Sequence, residues 1–369
     1  MDDDTIDSSD SINNIIARSS KYDYVKIRVW LHHLPHHVAH KHHTDPDPSA
    51  PVHTATSLDN TESNHWYVLS RYVLSRVISS CSGMRSNAAV TIALQLKKQL
   101  VDANLLNITQ TQLNKYLLDL IEQYYMSSTD PSHNITQFIH QYELMSQWHH
   151  SHQCTIILIT GTYGCEKHVI GARLANKLNI TNTIHTNTIV SMNTKHNSAL
   201  PLYLHQYNDI NQLYAAQQDI SMAVFQHLSG ELSKCLQDRR TLILVGTHID
   251  PLLYQQWANS IQHNNHIQPN ILTYICSCNQ SAHMLNIHNK LMRHNSIYHN
   301  DASSNQCECN STNVMNNIQS VNQWFVDKSN HAVSPYYIQS YTVSSVNNTV
   351  QSIHSDIMKH IVDDRQSNT

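Results

Sequence analysis

The sequence predicts an α/β fold in which a parallel sheet carries helices on both faces. From Cys154 onward, short apolar runs typical of strands alternate with longer segments of helical periodicity, and this alternation gives a parallel sheet covered on both sides. Three of the chain's 6 glycines (Gly161, Gly164 and Gly171) lie close together near the start of that region, which indicates a backbone conformation that only glycine adopts easily. Helical patterns before Cys154 add a small N-terminal helical domain.

The segment Cys154–Ile180, CTIILITGTYGCEKHVIGARLANKLNI, is the centre of the prediction. Thr155–Ile159 is apolar and β-branched, as expected of a buried strand. A turn follows at Gly161–Gly164, and a helical face is then predicted by Val169, Ile170, Leu174 and Leu178. Glycines clustered in so glycine-poor a chain indicate positive φ angles or a close approach of the backbone to another group.

A strand, a glycine loop, a lysine and a helix together have the layout of a phosphate-binding loop, G-x-x-x-x-G-K-S/T. Such a loop directs successive N–H groups and a helix N-terminus at an anion. Gly161 and Lys167 have the required spacing, but Glu166 replaces the second glycine and His168 replaces the hydroxyl residue. An ordinary strand–turn–helix stays the alternative, with Lys167 as a helix N-terminal lysine whose charge lies in water.

The rest of the region supplies further strands and helices. Strands are predicted at Thr183–His185, Thr241–Val245, Ile271–Cys276 and Tyr336–Tyr341, and helices at Ile210–Gln237, Val314–Val326 and Val346–Val362. Ligands bind at the carboxyl ends of parallel strands. We therefore expect the residues that follow these strands, Thr186, Asn187, His248 and Asp250, to lie beside the glycine loop. A packing or capping role is the alternative for His248.

The chain is predicted to have three parts. Residues 1–64 form a low-complexity, disordered tail with one strand at Tyr24–Leu31, and their His-rich stretch lacks the cysteines or fixed pairing of a specific metal site. Residues 65–150 form a helical domain, with helices at Tyr67–Ile78, Ala88–Val101 and Ile135–Trp148 and another capped by Thr109. Residues 151–369 form the α/β domain.

Composition excludes several classes of function. The net charge is −4 and the sequence shows no basic face, which argues against nucleic acid as a partner. No apolar run approaches about 20 residues and the N-terminus is acidic, so we expect neither a membrane span nor a signal peptide. The 8 cysteines are scattered, and the C-x-C pairs Cys276/Cys278 and Cys307/Cys309 lack the usual zinc spacing. We expect free thiols and a cytoplasmic protein.

Five segments resemble, in the same order, parts of the 2-phosphoglycerate kinase-like P-loop family. The segment from SRYVLSRV to LIEQYY resembles the ATP-cone-like N-terminal module of its larger eukaryotic members. The segments QCTIILITGTYGCEKHVIGARL, TIHTNTIV, TLILVGTHIDP and NVMNNIQSVNQWF resemble its phosphate-binding loop, its T-D-x-I and E-G-x-H-x-x-P segments and its N-I-R helix. The resemblance covers about Tyr67 to Ile361 and implies a nucleoside-kinase-like sheet.

The resemblance also implies an activity and a set of site residues. The activity is ATP-dependent phosphorylation of a small hydroxylated or phosphorylated metabolite, with Mg²⁺ as a further cofactor and Lys167 as the catalytic residue. The implied nucleotide-binding residues are those of the loop: Gly161, Thr162, Tyr163, Gly164, Cys165, Glu166, Lys167 and His168. The implied substrate-binding residues are Thr186, Asn187, His248 and Asp250.

The departures from the family fall on positions that handle charge and metal. Glu166 replaces a glycine, His168 a hydroxyl residue, Asn187 an aspartate, Val245 an acidic residue and Gln319 an arginine, and the Arg-rich lid is reduced to little more than Arg293. Mg²⁺ prefers hard oxygen ligands, so its binding is in doubt. A carboxylate about 5 Å from a phosphate charge costs roughly 3 kcal/mol at an effective dielectric constant near 20.

Two hypotheses follow. In the first, the chain is a weakly active kinase of this family. In the second, it is a catalytically inactive relative, a pseudoenzyme that senses nucleotide or serves as a scaffold and contacts a protein partner through its helical module.

Overall fold

The computed structural model describes residues 21–31, 66–81, 84–127, 135–150, 153–192, 202–264, 269–277, 311–330 and 337–366. The chain divides into two compact units, residues 1–142 and 143–369. The predictions made for residues 1–20, for the His-rich linker 32–64 and for the second C-x-C pair lie outside the described residues.

The first unit contains a small sheet and several helices. Strand β1 (Arg28–Trp30) pairs antiparallel with β2 (Trp66–Val68) and parallel with β3 (Asn107–Thr109). The helices are α1 (Lys21–Tyr24), α2 (Arg71–Ser80), α3 (Ser86–Asp102), α4 (Gln110–Ser127) and α5 (Ile135–His150), the last of which contains the division between the units.

Helix α3 buries the residues that its periodicity predicted, whereas Val73 of α2 and Tyr116 of α4, which were also predicted to face inward, are exposed. In α3 the buried positions include Ala89, Ile92, Ala93, Leu96 and Leu100. The predicted cap of α4 is confirmed: Thr109 Oγ1 accepts a hydrogen bond from the Gln112 N–H at 3.2 Å, and Gln112 Oε1 accepts one from the Thr109 N–H at 3.0 Å. This reciprocal pair is a capping box.

The predicted helix Tyr67–Ile78 was wrong over its first residues. Trp66–Val68 is a strand instead, paired with β1, and the helix begins at Arg71 after the N-cap Ser70. Aromatic and β-branched residues fit a half-buried sheet surface, and pairing with a neighbouring strand overrides a short helical pattern. The predicted strand Tyr24–Leu31 is confirmed only over Arg28–Trp30, and Tyr24 is the last residue of α1 instead.

The second unit is built on a five-stranded parallel sheet in the order β5-β6-β4-β7-β8. The strands are β4 (Thr155–Gly161), β5 (Thr183–His185), β6 (Leu242–Val245), β7 (Asn270–Ser277) and β8 (Tyr337–Thr342). The helices are α6 (Lys167–Leu178), α7 (Thr186–Met192), α8 (Ile210–Gln237), α9 (Pro251–Asn264), α10 (Ser311–Asn330) and α11 (Val346–Gln366), with a 3₁₀ turn at Leu202–Leu204.

Helices cover both faces of this sheet. Successive strand residues point to opposite faces, and Ile156 and Leu158 of β4 pack in one core cluster with Val224 and Leu228 of α8. On the other face α6 lies against β6, where a Cβ added to Gly171 would come within 2.5 Å of a Val245 methyl group. The predicted α/β fold, a parallel sheet with helices on both faces, is confirmed.

Two helices of this unit were not predicted. Helix α9 had a readable signal, because Pro251 occupies its first position and Asp250 Oδ1 accepts a hydrogen bond from the Leu252 N–H at 3.0 Å. Helix α7 begins at Thr186, directly after β5, and no turn residue marks the change.

No helix in the described part of the chain is long and apolar enough to cross a membrane.

A buried histidine makes the stability of the second unit dependent on pH. His354 of α11 is buried, its Nε2 has no hydrogen-bond partner among the described residues, and burial together with the charge of Lys177 lowers its pKa to about 3. The unfolded chain therefore binds a proton that the folded chain excludes between about pH 6.5 and pH 3, so stability falls as the pH falls through this range.

We expect the His354→Leu variant to lose less stability on acidification than the wild type. Lowering the pH from about 7 to about 5.5 should cost the wild type about 1 kcal/mol more than the variant. Urea unfolding at the two pH values measures the difference. His227→Gln, which removes an exposed histidine on α8, is the control; equal pH dependence in wild type and His354→Leu would contradict the prediction.

Candidate functional site

The candidate site lies where β4 ends, at the carboxyl edge of the sheet. In the strand order β5-β6-β4-β7-β8, the strands that follow β4 in the chain lie first to one side of it (β5 and β6) and then to the other (β7 and β8). The strand order therefore changes direction at β4. Ligands of open α/β sheets bind at such a point. The structure places the predicted loop, residues 161–168, at this edge.

The backbone of the loop follows the path that its glycines indicated. Gly161 has φ 141° and Gly164 has φ 91°. A Cβ at Gly161 would lie 2.0 Å from the carbonyl oxygen of Cys276, so contact with β7 alone requires glycine there. Glu166 has φ 53° and ψ 19°, a left-handed conformation that favours glycine. Position 166 thus combines a glutamate side chain with a backbone conformation that favours glycine.

Lys167 is folded back across this loop. It is the first residue of α6, its side chain is only 3% exposed, and its Nζ donates a hydrogen bond to the Thr162 carbonyl at 2.9 Å. The alternative in which its charge lies in water is therefore wrong. Beside this contact, Thr162 Oγ1 lies 3.0 Å from Cys165 Sγ, and both residues are buried.

Tyr163 is held by contacts that the sequence did not indicate. Its ring stacks on that of Tyr203, with 4.3 Å between ring centroids. Asn317 of α10 fixes the backbone around Tyr203, because its Nδ2 donates to the carbonyls of Tyr203 at 3.1 Å and His205 at 2.9 Å. Both tyrosines pack on a buried cluster from α10: Val314, Met315 and Ile318.

The start of α6 also meets the end of β5 through two imidazole rings. His168 Nδ1 lies 3.0 Å from His185 Nδ1, and Asn187 Nδ2 lies 3.4 Å from His168 Nε2. His168 and Asn187 were predicted site residues, and the structure brings them together. His185 was missed, because nothing in its local sequence distinguishes it from the other 28 of the 29 histidines.

Thr186 and His248 form a second contact beside the first. Thr186 is fully buried, and its Oγ1 lies 3.3 Å from His248 Nδ1. A Cβ at Gly246 would come within 1.7 Å of Thr186 Oγ1, so the close approach depends on that glycine. Burial, and then the charges of Lys167 and His168, lower the pKa of His248 to about 4. His248 is therefore a neutral imidazole near pH 7.

Asp250 lies at the same edge, but both of its carboxylate oxygens have partners in the protein. Oδ2 lies 3.0 Å from Lys328 Nζ of α10, and Oδ1 accepts the Leu252 N–H that caps α9. Asp250 is 1% exposed. Its role in substrate binding stays a prediction, while the observed contacts join the loop after β6 to α10.

The residues present do not fit a Mg²⁺ site. His168, Asn187 and Val245 supply neither a hydroxyl nor a carboxylate, and the Val245 side chain packs against Gly171. Within the described ranges no group of three or more His, Cys, Asp or Glu residues is arranged to hold a metal ion. Mg²⁺ binding needs several hard oxygen ligands, so no step below depends on the metal.

Comparison with known proteins found no matching family model and no matching curated protein. Among solved structures, an uncharacterized protein from Eubacterium ventriosum ATCC 27560 is 13% identical, with 57% of this chain and 99% of that chain covered and a TM-score of 0.31. A "putative kinase" from Chloroflexus aurantiacus J-10-fl is 13% identical, with 55% and 98% covered and a TM-score of 0.31. Shikimate kinase from Bacteroides thetaiotaomicron is 13% identical, with 55% and 98% covered and a TM-score of 0.30.

Proposed function

We propose that this chain is a kinase-family protein resembling 2-phosphoglycerate kinase, which binds the phosphates of ATP in loop 161–168 and phosphorylates a small hydroxylated or phosphorylated metabolite, with weak activity. The observation that carries the proposal is the buried Lys167, held inside a loop of glycine-like conformation at the end of the central strand. Burying a lysine is costly unless it is paired, so a functional use of its charge is a reasonable explanation.

The loop offers two kinds of group to a phosphate. The N-terminus of α6 presents backbone N–H groups and the positive end of the helix dipole. Lys167 Nζ donates to the Thr162 carbonyl and could exchange this partner for a phosphate oxygen, a stronger acceptor because it is charged. Phosphoryl transfer depends mainly on positioning and charge stabilisation, and both groups serve those ends.

The neighbouring strand ends would hold the acceptor substrate. Thr186, Asn187 and His248 follow β5 and β6 at the same edge. Because His248 is neutral near pH 7, its ring can accept a hydrogen bond from a substrate hydroxyl. ATP is the ligand that we propose for the groups of the loop, and because a hydroxyl and two carboxylates of the family pattern are replaced, we expect turnover to be slow.

The second candidate is a catalytically inactive relative that senses nucleotide or acts as a scaffold. It is favoured by Asp250 at the same edge of the sheet, because both carboxylate oxygens of this residue are engaged, one by Lys328 and the other by the cap of α9. A protein partner bound through the N-terminal helical unit, the cytoplasmic location and the absence of nucleic-acid binding remain predictions from the sequence.

Calorimetric titration with ATP, with and without Mg²⁺, tests the proposal together with an assay for phosphorylated product. We expect Lys167→Met to weaken ATP binding by about tenfold, because one charge-assisted hydrogen bond contributes about 1.5 kcal/mol. Methionine preserves most of the buried volume. Lys234→Met removes an exposed lysine of α8 and serves as the control.

Each result selects one candidate. Binding with product that depends on Lys167 supports the kinase. Binding without product supports the sensor or scaffold. If ATP does not bind, or binds equally to wild type and Lys167→Met, the loop is not a nucleotide site: the kinase and the nucleotide sensor both fail, and the result favours the scaffold.

A further inference from the structure

The contact between His168 and His185 places a restriction on their hydrogens. Their Nδ1 atoms are 3.0 Å apart, which is hydrogen-bonding distance. A neutral imidazole has one N–H and one lone pair. The contact is therefore favourable only when one Nδ1 carries hydrogen and the other does not, because two lone pairs or two N–H groups would repel each other.

Asn187 indicates which ring is the donor. Its amide nitrogen faces His168 Nε2 at 3.4 Å, and an amide nitrogen can only donate. His168 Nε2 is then an acceptor, so the hydrogen of His168 is on Nδ1 and is donated to His185 Nδ1. The neutral cluster is a chain of hydrogen bonds that runs from Asn187 through His168 to His185.

This chain can take up one proton and keep both of these hydrogen bonds. A proton added at His168 Nε2 makes that nitrogen a donor, and the Asn187 amide can turn to present its oxygen. The resulting imidazolium donates to Asn187 on one side and to His185 on the other. With a second added proton both Nδ1 atoms would carry hydrogen and two N–H groups would face each other, so the pair favours a single added charge, shared across the Nδ1···Nδ1 hydrogen bond.

We propose that His168, paired with His185, carries a proton-dependent positive charge that allows the loop to bind a polyphosphate ester without a metal ion, and more tightly in mildly acidic than in alkaline solution. This inference rests on the proposed function, because it assumes that loop 161–168 receives the phosphates. The ligand that we infer is a nucleotide polyphosphate without a bound metal ion.

The charged and titratable groups around His168 are consistent with this role. Lys167 provides a further cation from the same helix, Glu166 precedes it with a carboxylate, and His185 and His248 face it from β5 and from the loop after β6. Histidine is the side chain whose charge ordinarily changes between about pH 5 and pH 8. Since the pKa of His248 is about 4, that residue stays neutral over most of this range and does not cause the change.

The test is titration of the full chain with ATP in the presence of EDTA, at about pH 6 and about pH 8, for wild type and His168→Gln. The quantity compared is the ratio of affinities at the two pH values. We expect this ratio to be about tenfold larger in the wild type, as for one added positive charge near a phosphate. The titration of ATP itself contributes equally to both proteins and cancels.

His227→Gln is the control, because it removes a solvent-exposed histidine on α8, and it should keep the wild-type ratio. His168→Asn is a second variant for use if His168→Gln does not fold. Equal ratios in wild type and both His168 variants would overturn the inference while leaving the proposed function intact. If ATP binds the wild type at neither pH, the proposed function fails as well.

Discussion

Replacing Glu166 with glutamine should raise the affinity for ATP by about tenfold to a hundredfold. The carboxylate belongs to the N-cap residue of α6, next to Lys167 in the loop that we propose receives the phosphates. Its repulsion amounts to roughly 3 kcal/mol at 5 Å and an effective dielectric constant near 20, and partial exposure to solvent reduces that value. Glutamine removes the charge while keeping the length of the side chain.

Glu166→Gly should raise the affinity similarly and also stabilise the fold. A residue other than glycine in the left-handed region costs about 1–2 kcal/mol, and Glu166 has φ 53°. The greater freedom of glycine in the unfolded chain offsets about 0.4–1 kcal/mol of this gain. We expect a net stabilisation of about 0.5–1 kcal/mol for glycine and none for glutamine, which pays the same backbone cost.

The two variants thus separate the charge from the backbone. Calorimetry with ATP measures the first effect, and urea unfolding measures the second. Glu122→Gln removes an exposed carboxylate in the first unit and controls for the change in net charge. Unchanged ATP affinity in Glu166→Gln would show that the carboxylate does not face the phosphates. Unchanged stability in Glu166→Gly would show that the strain relieved is no larger than the offset of about 0.4–1 kcal/mol from the unfolded chain.

Asp250→Ala should destabilise the second unit by about 3 kcal/mol. Removing one partner of a buried ion pair costs about 3–5 kcal/mol, and here it also removes the cap of α9, worth about 1 kcal/mol. The Lys328 side chain is 20% exposed, so its ammonium can move toward water when Asp250 is removed. We therefore expect a loss of stability near the lower end of the range of about 3–5 kcal/mol. The loss is measured by urea unfolding.

Asp250→Asn isolates the ion pair, because an amide oxygen can still accept the Leu252 N–H. Lys328→Met and the double variant complete a double-mutant cycle. A coupling energy near zero, together with normal stability of Asp250→Ala, would contradict the structural role. Reduced substrate binding without loss of stability would instead support Asp250 as a substrate-binding residue.

Much of the fold could be predicted because its signals are local. The apolar runs of β4, β6 and β7 and the four-residue spacing in α8 report burial directly, since a segment buried on both faces must be apolar throughout and a helix buried on one face must repeat with its own period. The order of strands and helices then selects a parallel sheet. The loop at 161–168 was found for the same reason, because its glycines and lysine are close together in the chain.

The helix–strand boundaries in the first unit were harder to predict. Trp66–Val68 satisfies a helical pattern locally, and only its pairing with Arg28–Trp30, far away in the sequence, makes it a strand. Helix α7 likewise starts without a turn residue after β5. In both cases the deciding interaction joins segments that a short window of sequence cannot compare.

By itself, the sequence determined the α/β class, the central strand and the position of the loop, because each is written in the spacing of neighbouring residues. Only the tertiary structure decided that Lys167 is buried, that Glu166 adopts a glycine conformation, that His168 meets His185 and that Asp250 pairs with Lys328. Each of these depends on a partner or a packing environment supplied by the fold. Sequence spacing gives the elements, whereas charges and hydrogen bonds at the site depend on distances between elements that only folding sets.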